Sequence, residues 1–249
     1  MDINSLTQPL QFKILYLDVV TSTNTLARER LQLAKAIEGS VIFANEQTQG
    51  RGQLNSVWES NSGKNVLCSI VLSPVFITID QQTYLNMAIC LAMLDTIKMY
   101  TPDASIKWPN DIYINKKKVA GLLLENAIQG DHIKYSIVGI GINVNQLDFV
   151  VKSATSLCME TQHNIVVDDV LQLLLKHINH RYGMLKLKQW DMINKEYHQH
   201  LLGLNEECTF KTETEEFVGV IKGVDVHGLL MVKKGDSIIN YRVKEISML

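Results

Sequence analysis

The stretch KWPNDIYINKKKVAGLLLE, residues 107–125, has the most specific pattern in the sequence. Pro109 fixes the backbone after a lysine–tryptophan pair, and Asn110 and Asp111 then open a short strand. Asn115 marks a turn, and an apolar strand follows it. The stretch therefore predicts a β-hairpin whose first strand begins with polar side chains gathered in one tight corner.

Three lysines, Lys116 to Lys118, lie between that turn and the apolar strand. In a regular strand, Lys117 and Lys118 point to opposite faces. The companions of Lys118 would be Ala120, Leu122 and Leu124, and those of Lys117 would be Val119, Gly121 and Leu123. Both faces are apolar, so alternation does not decide which lysine reaches a site. A solvated hairpin tip would also account for all three lysines.

The rest of the chain predicts a strand-rich core with few helices. Residues 22–34 predict a helix capped by Ser22, Thr23 or Asn24, and residues 168–187 predict a covering helix with Asp168 as its cap. From about residue 205, short alternating strands separated by glycines predict a small β-barrel module. Further strands are predicted at 12–20, 40–47, 65–74, 105–108 and 135–145, and an apolar helix at 84–100.

The charge and hydrophobicity of the chain make nucleic acid and membranes poor candidates for its binding partners. The chain has 249 residues, of which 46% are hydrophobic, with a formal net charge of −2. This gives no basic field for nucleic acid, and no run of about 18 apolar residues suits a bilayer. The N-terminal residues lack a secretory pattern, so we expect a cytoplasmic protein. Its four cysteines are far apart in apolar surroundings and are expected to be reduced core thiols.

A glycine-containing loop, QTQGRGQLNSVW at residues 47–58, follows the second predicted strand. Gly50 and Gly52 are expected to adopt positive φ angles and to present their amides to an anion, with Arg51 adding charge. A mobile surface loop would need the same glycines only in order to turn. Trp58 is placed to pack the loop over a ligand, although a buried core position would also suit it.

A second glycine pattern, GIGIN at residues 139–143, lies within a predicted strand. Gly139, Gly141 and Asn143 alternate and therefore share one face, which leaves room for a flat ligand to approach the backbone. The pattern is neither GxGxxG nor a Walker motif, so a Walker-type nucleotide fold is not supported.

In their order along the chain, these motifs resemble the biotin protein ligase family, whose members activate biotin with ATP and attach it to a carrier lysine. The match comprises STN at 22–24, GRG at 50–52 with Trp58, KWPND at 107–111, KxAGxLxE at 118–125, GxGxN at 139–143 and ATSL at 154–157. The resemblance implies an α+β fold, with a mixed β-sheet and helices packed on one side as in class II aminoacyl-tRNA synthetases. It also implies a small C-terminal Src-homology-3-like β-barrel, with domains at 1–203 and 204–249.

The resemblance also implies a reaction and its participants. Biotin and ATP, with Mg²⁺, would form biotinyl-5'-AMP, and biotin would then pass to a lysine of a biotin carboxyl carrier protein. No nucleic acid or membrane partner is expected, and the chain would be a monomer or a homodimer. The motif selects Lys118 over its neighbours as the catalytic lysine, with Arg51 as a second catalytic residue, and Asp111 as a ligand of Mg²⁺.

The same resemblance implies two overlapping sets of binding residues. Those expected around biotin are Ser22, Thr23, Asn24, Gln47, Gly50, Arg51, Gly52, Gln53, Trp58 and Gly121. Those expected around ATP are Arg51, Trp58, Lys107, Asn110, Asp111, Lys118, Ile142 and Asn143, with Asn143 hydrogen-bonding adenine.

The glycine loop departs from the family's commonest pattern at two positions. Gln53 stands where a second arginine is frequent, and Asn55 stands where glycine is usual. Asparagine tolerates a positive φ, so the turn is expected to survive. Glutamine keeps a hydrogen-bonding group and loses a charge, so weaker retention of the adenylate is expected.

Two other functions are less consistent with the sequence. A lipoate or octanoate transferase of the same fold group would not be expected to carry KWPND and GRG together. A biotin-responsive DNA-binding repressor would need an N-terminal helix-turn-helix domain, and only about a dozen residues precede the first predicted strand.

Overall fold

Seven strands form the larger of two sheets. The computed structural model describes residues 8–53 and 56–249. The spatial order is β1-β2-β3-β7-β6-β5-β4, and only β1 and β2 are parallel neighbours. The strands are β1 (Lys13–Val20), β2 (Ser40–Gln47), β3 (Asn65–Leu72), β4 (Ala104–Lys107), β5 (Asp111–Ile114), β6 (Lys117–Gln129) and β7 (His132–Asn143). The predicted mixed sheet and the predicted 107–125 hairpin are confirmed.

Five α-helices lie between or after these strands in the described residues. They are α1 (Thr23–Gln32), α2 (Gln82–Lys98), α3 (Leu157–Thr161), α4 (Val167–Lys186) and α5 (Trp190–Gln199), and a 3-10 turn (Ile79–Gln81) leads into α2. Ser22 is the N-cap residue of α1, as predicted. α4 begins after Val166, so the prediction that Asp168 caps it was wrong. Asp168 lies in the first turn, where its carboxylate accepts a hydrogen bond from Tyr16 at 2.7 Å.

Alternate residues of the central strands enter two hydrophobic clusters. Ile70 belongs to the larger cluster, which also contains the buried faces of α2 and α4. Val71 and Ile42 belong to a smaller cluster with Ala27 of α1. Successive strand residues point to opposite faces, so α1 covers the face opposite α2 and α4. The α+β class is confirmed, and the expectation that helices pack on one side holds for α2 and α4 but not for α1.

Five antiparallel strands near the C-terminus form the second sheet, in the order β11-β10-β9-β8-β12. They are β8 (Glu207–Lys211), β9 (Glu216–Val224), β10 (Leu230–Lys234), β11 (Ser237–Tyr241) and β12 (Ser247–Met248). Trp108 Nε1 donates to the Gly228 carbonyl at 3.0 Å, and the Val224 amide donates to His198 Nε2 at 2.8 Å. These bonds attach the small module to the large sheet and to α5.

The helices in the described ranges include none that is both long enough and apolar enough to cross a membrane.

Candidate active site

A cavity of about 410 Å³ opens on the α1 side of the large sheet. Strands β6 and β7 form its floor, the start of α1 and the end of β2 form one wall, and the glycine loop covers it. Most of the residues predicted for biotin and ATP line it: Ser22, Thr23, Asn24, Gln47, Arg51, Gly52, Gln53, Trp58, Asn110, Asp111, Lys118, Gly121 and Asn143. Motifs that are up to about 120 residues apart in the chain therefore meet in one cavity.

Three predicted residues do not contribute side chains to this lining. Ile142 is fully buried in the larger hydrophobic cluster, because it points to the α2 face of β7. Gly50 is buried within the glycine loop, where its Cα lies against the carbonyl of Trp58. Lys107 lies at the edge of the site, with its ammonium 4.9 Å from the centre of the Tyr113 ring.

Glycines make the cavity floor. Gly121 of β6 pairs with Gly141 of β7, and a Cβ built at Gly141 would overlap the indole of Trp58. A Cβ at Gly139 would overlap the amide of Asn24. The GIGIN pattern thus lets Trp58 and Asn24 lie directly on the strand backbone, and the approach of a flat ligand stays a prediction.

Lys118 reaches the cavity because of an irregularity in β6. Ile112 pairs with Ala120, and its neighbour Tyr113 pairs with Lys118, which leaves Val119 without a partner on β5. This β-bulge reverses the alternation, so Lys118 lies on the same side as Gly121. Val119 is fully buried and Lys117 is exposed. The regular-strand assignment of Lys118 to the face of Ala120 was therefore wrong.

Charges of both signs lie at this end of the cavity. The Lys118 ammonium contacts Asp111 Oδ1 at 2.8 Å and lies 5.5 Å from the centre of the Trp58 ring. Burial lowers the pKa of Lys107, an effect opposed by the nearby Asp111 charge. Burial and the same carboxylate raise the pKa of Tyr113 to about 12, so its phenol stays neutral at physiological pH. The arrangement concentrates positive charge beside one carboxylate.

The glycine loop closes on itself as a short antiparallel turn. The Gly52 amide donates to the Ser56 carbonyl at 2.7 Å, and the Trp58 amide donates to the Gly50 carbonyl at 3.0 Å. Neither Gly50 nor Gly52 has a positive φ angle. The expectation of positive φ at both glycines was wrong, and the Gly52 amide is unavailable to an anion. A Cβ at Gly52 would overlap Ser56 Oγ, which would have to turn away and lose its hydrogen bond to the Gln53 carbonyl.

The remaining loop positions have different roles. Arg51 Nη2 donates to Thr25 Oγ1 at 2.8 Å, which ties the loop to α1. Gln53 faces the cavity, and its carbonyl accepts from the Ser56 amide. Asn55 lies outside the described residues, so its expected turn conformation stays a prediction.

Neutral polar groups gather where α1 begins. Gln47 Oε1 accepts from the Thr23 amide at 2.8 Å and lies 3.1 Å from Thr23 Oγ1. The Ser69 hydroxyl lies 2.7 Å from Thr23 Oγ1 and 2.5 Å from Asn24 Oδ1. Ser22 is buried beside them. This end of the cavity suits a small neutral ligand group that has both donors and acceptors.

Asn143 and Asn110 are both buried, and their hydrogen bonding differs. Asn143 Nδ2 donates to the Thr155 carbonyl at 3.0 Å, and its Oδ1 is buried without a partner among residues 8–53 and 56–249. Asn110 Nδ2 donates to the Leu122 carbonyl and so ties the corner before β5 to β6. Asn143 therefore retains an unused acceptor on the cavity wall, whereas the amide hydrogens of Asn110 serve the fold.

Several residues in the lining or directly behind it carry no predicted role. Tyr113 lines the cavity and alternates with Asp111 along β5, which was the available signal. Ser69 is buried behind the lining on β3, where no motif marks it. Thr25 follows the STN motif directly. Phe149, Val151 and Ser153 come from the segment between GxGxN and ATSL, which has no periodic pattern.

Comparison with known proteins gives two family matches. Residues 16–143 match the biotin/lipoate A/B protein ligase family, and residues 203–247 match the biotin protein ligase C-terminal domain. The bifunctional ligase/repressor BirA of Bacillus subtilis is 32% identical over 231 residues, covering 90% of this chain and 70% of that protein. The biotin–[acetyl-CoA-carboxylase] ligase of Paracoccus denitrificans is 29% identical, covering 86% and 93% respectively.

Solved structures include a similar protein with ligands bound. The biotin protein ligase from Aquifex aeolicus in complex with biotin and ATP superposes with a TM-score of 0.78 and 28% identity. The match covers 95% of this chain and 98% of that one. The similarity therefore extends over both the large sheet and the C-terminal module.

Proposed function

This chain belongs to the biotin/lipoate A/B protein ligase family, and from that premise we propose that it is an ATP-dependent biotin protein ligase. The observation that carries the proposal is the single cavity in which a neutral polar end lies beside the Lys118–Asp111 pair. A ureido ring is neutral and has both donors and acceptors, so it suits the Thr23 and Gln47 end. A carboxylate and a phosphate would meet at Lys118.

In the first half-reaction, a carboxylate oxygen of biotin forms a bond to the α-phosphorus of ATP, and the bond to pyrophosphate breaks. Two anions must approach each other, and charge accumulates on the phosphoryl oxygens. Lys118 provides a fixed positive charge at that point, held by Asp111 and by the indole of Trp58. Because Asp111 orients the ammonium before substrates bind, little reorganisation is needed during the reaction.

In the second half-reaction, the amine of a carrier lysine attacks the carbonyl carbon of the mixed anhydride. AMP leaves, and the nitrogen loses a proton. The glycine loop covers the cavity and is tied to α1 by Arg51 and Thr25. We assign it the role of excluding water from the adenylate until the carrier arrives.

Mg²⁺ fits this site as a companion of ATP. Asp111 Oδ1 contacts Lys118, and the second carboxylate oxygen remains for a cation. Within residues 8–53 and 56–249, no group of three or more His, Cys, Asp or Glu side chains is placed to hold a metal. A site with one carboxylate suits Mg²⁺ held largely by phosphates and water, and the ion would neutralise phosphate charge.

The acceptor we propose is the biotin carboxyl carrier domain of a biotin-dependent carboxylase, in the cytoplasm. The relative from Paracoccus denitrificans is a ligase named for acetyl-CoA-carboxylase, which supports this acceptor, and four free cysteines fit a reducing compartment. We further propose a domain boundary between residues 203 and 204, which the separate sheet beginning with β8 supports.

Biotin labelling tests the proposed function. Purified protein with biotin, ATP and Mg²⁺ should add one biotin to a single lysine of a biotin carboxyl carrier domain. Intact-mass spectrometry and peptide mapping measure the product, with lipoate in place of biotin as the matched control. No mass gain that depends on biotin, or equal use of lipoate, would refute the assignment.

Gln53 should make this enzyme release its intermediate readily. An arginine donates charge-assisted hydrogen bonds of about 1.5 to 3 kcal/mol to a phosphate, whereas a neutral glutamine gives roughly 0.5 to 1.5 kcal/mol. Gln53→Arg should therefore slow the escape of biotinyl-5'-AMP by a few-fold to somewhat over tenfold, since about 1.4 kcal/mol is tenfold.

Release is measured without a carrier, by trapping the free adenylate over time. Unchanged or faster escape from Gln53→Arg would show that position 53 does not reach the phosphate. The retention would then depend on Arg51 and Trp58.

A further inference from the structure

Glu125 ends the KxAGxLxE motif and has no assigned role in the reaction. Its carboxylate accepts from Asn24 Nδ2 through Oε2 at 2.7 Å, and from Arg28 Nη2 through Oε1. Asn24 and Arg28 are one turn apart on α1, so both point toward β6. The carboxylate therefore joins the start of α1 to the strand that carries Lys118.

The charge of Glu125 determines the orientation of the Asn24 amide. An ionised carboxylate only accepts hydrogen bonds, so Asn24 must turn its NH₂ group toward Glu125. Its carbonyl oxygen then faces the Ser69 hydroxyl, 2.5 Å away. With the amide reversed, two oxygens would face each other at the Glu125 side, which is unfavourable.

That orientation passes to the cavity through two hydroxyl groups. Ser69 has one proton, and the Asn24 carbonyl takes it because that contact is the shorter of the two it makes. The 2.7 Å contact between Ser69 and Thr23 then uses the proton of Thr23. Gln47 Oε1 keeps the Thr23 amide proton at 2.8 Å. Thr23 Oγ1 is also 3.1 Å from Gln47 Oε1, and its proton goes to the shorter contact with Ser69. Both lone pairs of Thr23 Oγ1 therefore remain for a ligand.

We propose that Glu125 is a positioning residue for biotin recognition, which sets the direction of the hydrogen-bond chain Asn24–Ser69–Thr23. It keeps both lone pairs of Thr23 Oγ1 for a ligand N–H, and it acts through Asn24 without touching biotin. The inference rests on the proposed function, since the ureido ring supplies the N–H group.

Glu125→Gln should reverse the chain while preserving its size. Arg28 can only donate, so the carbonyl oxygen of the new glutamine turns toward Arg28 and its NH₂ group turns toward Asn24. Asn24 then reverses, and its NH₂ group donates to Ser69. Ser69 then donates to Thr23 Oγ1, and the Thr23 proton turns to Gln47 Oε1, 3.1 Å away. Thr23 and Gln47 each give a lone pair to a protein proton, so both accept a ligand N–H less well.

A double-mutant cycle on biotin binding tests this mechanism. Calorimetry would measure the Kd for biotin of the wild type, Glu125→Gln, Arg28→Met and the double variant. Glu125→Gln should weaken biotin binding by about tenfold or more when Arg28 is present. With Arg28 removed, the glutamine oxygen is free to face Asn24, so the same change should cost less than about threefold. A merely structural loss would grow when Arg28 is removed as well.

The outcomes separate this inference from the proposed function. A wild type that fails to bind biotin overturns both. A wild type that binds biotin, with Glu125→Gln equally tight or with an equal or larger loss in the Arg28→Met background, overturns the role of Glu125 alone. The Kd for ATP should not change in Glu125→Gln, and a parallel loss there would also count against a role confined to biotin.

Discussion

Lys118→Ala should abolish biotinyl-adenylate formation, with a loss of about 10²- to 10³-fold or more in rate. The ammonium is the cation that lies 2.8 Å from Asp111 and against Trp58, at the junction of the neutral and charged ends of the cavity. Without this ammonium, no positive charge would offset the repulsion between the biotin carboxylate and the α-phosphate of ATP as they approach each other. Asp111 would also lose its partner and would add a further negative charge to the site.

Biotin-dependent ATP–pyrophosphate exchange measures this step directly. Lys117→Ala and Lys116→Ala are matched controls, because both lysines are exposed at the hairpin tip and neither lines the cavity. Their exchange rates should stay near that of the wild type, and thermal melting would confirm that all three variants fold. If Lys117→Ala were as damaging as Lys118→Ala, the proposed role of Lys118 would be wrong.

The bulge beside Lys118 shows why the two lysines could not be distinguished by alternation. In a regular strand, successive side chains alternate between the two faces of the sheet. The one extra residue of the bulge, Val119, reverses this alternation for every residue beyond it. Nothing in the local sequence marks the bulge. The family motif placed Lys118 in the lining correctly. Matching a residue to a motif uses its position in the sequence and does not depend on which face of the strand it occupies.

The KWPND corner was predicted to gather polar groups, and Asn110 and Asp111 both line the cavity. Trp108 had no predicted role, and its indole bonds to Gly228 in the C-terminal module. Local sequence favours a turn here and contains no information about a partner 120 residues away. The strands of the large sheet and helices α1, α2 and α4 were predictable, because their apolar pattern is a local property, whereas the short helix α3 was not predicted. The GIGIN floor was also predictable, since only glycine leaves space above a strand.

Glycine can be needed in a loop either for a positive φ angle or because neighbouring atoms leave no room for a Cβ. Positive φ was expected at Gly50 and Gly52 from composition, and neither has it. Gly50 is required because the backbone carbonyl of Trp58 leaves no room for a Cβ, whereas a Cβ at Gly52 would displace the Ser56 hydroxyl. Such close approach depends on the folded loop and is invisible in a sequence. Substitution at either glycine therefore disturbs the packing of the lid itself.

Asn143→Ala should raise the KM for ATP by roughly ten- to a hundredfold and should leave the Kd for biotin unchanged. The Thr155 carbonyl holds Asn143 Nδ2 at 3.0 Å, which fixes the direction of Oδ1. That oxygen is buried and lacks a protein partner among the described residues. Burying an acceptor without a donor is costly, so its pairing with the exocyclic amine of adenine would recover the cost only when ATP binds.

Inosine triphosphate separates this role from a general loss of structure. It carries a carbonyl oxygen where adenine carries an amine, so it would face Asn143 Oδ1 with a second acceptor. The wild type should therefore prefer ATP by about tenfold or more in kcat/KM, because the mismatch leaves two buried acceptors unpaired. In Asn143→Ala the preference should nearly disappear, since the discriminating oxygen is gone. A variant that uses both nucleotides poorly yet keeps the wild-type ratio would show that adenine is recognised elsewhere, and that Asn143 serves only to hold the backbone at Thr155.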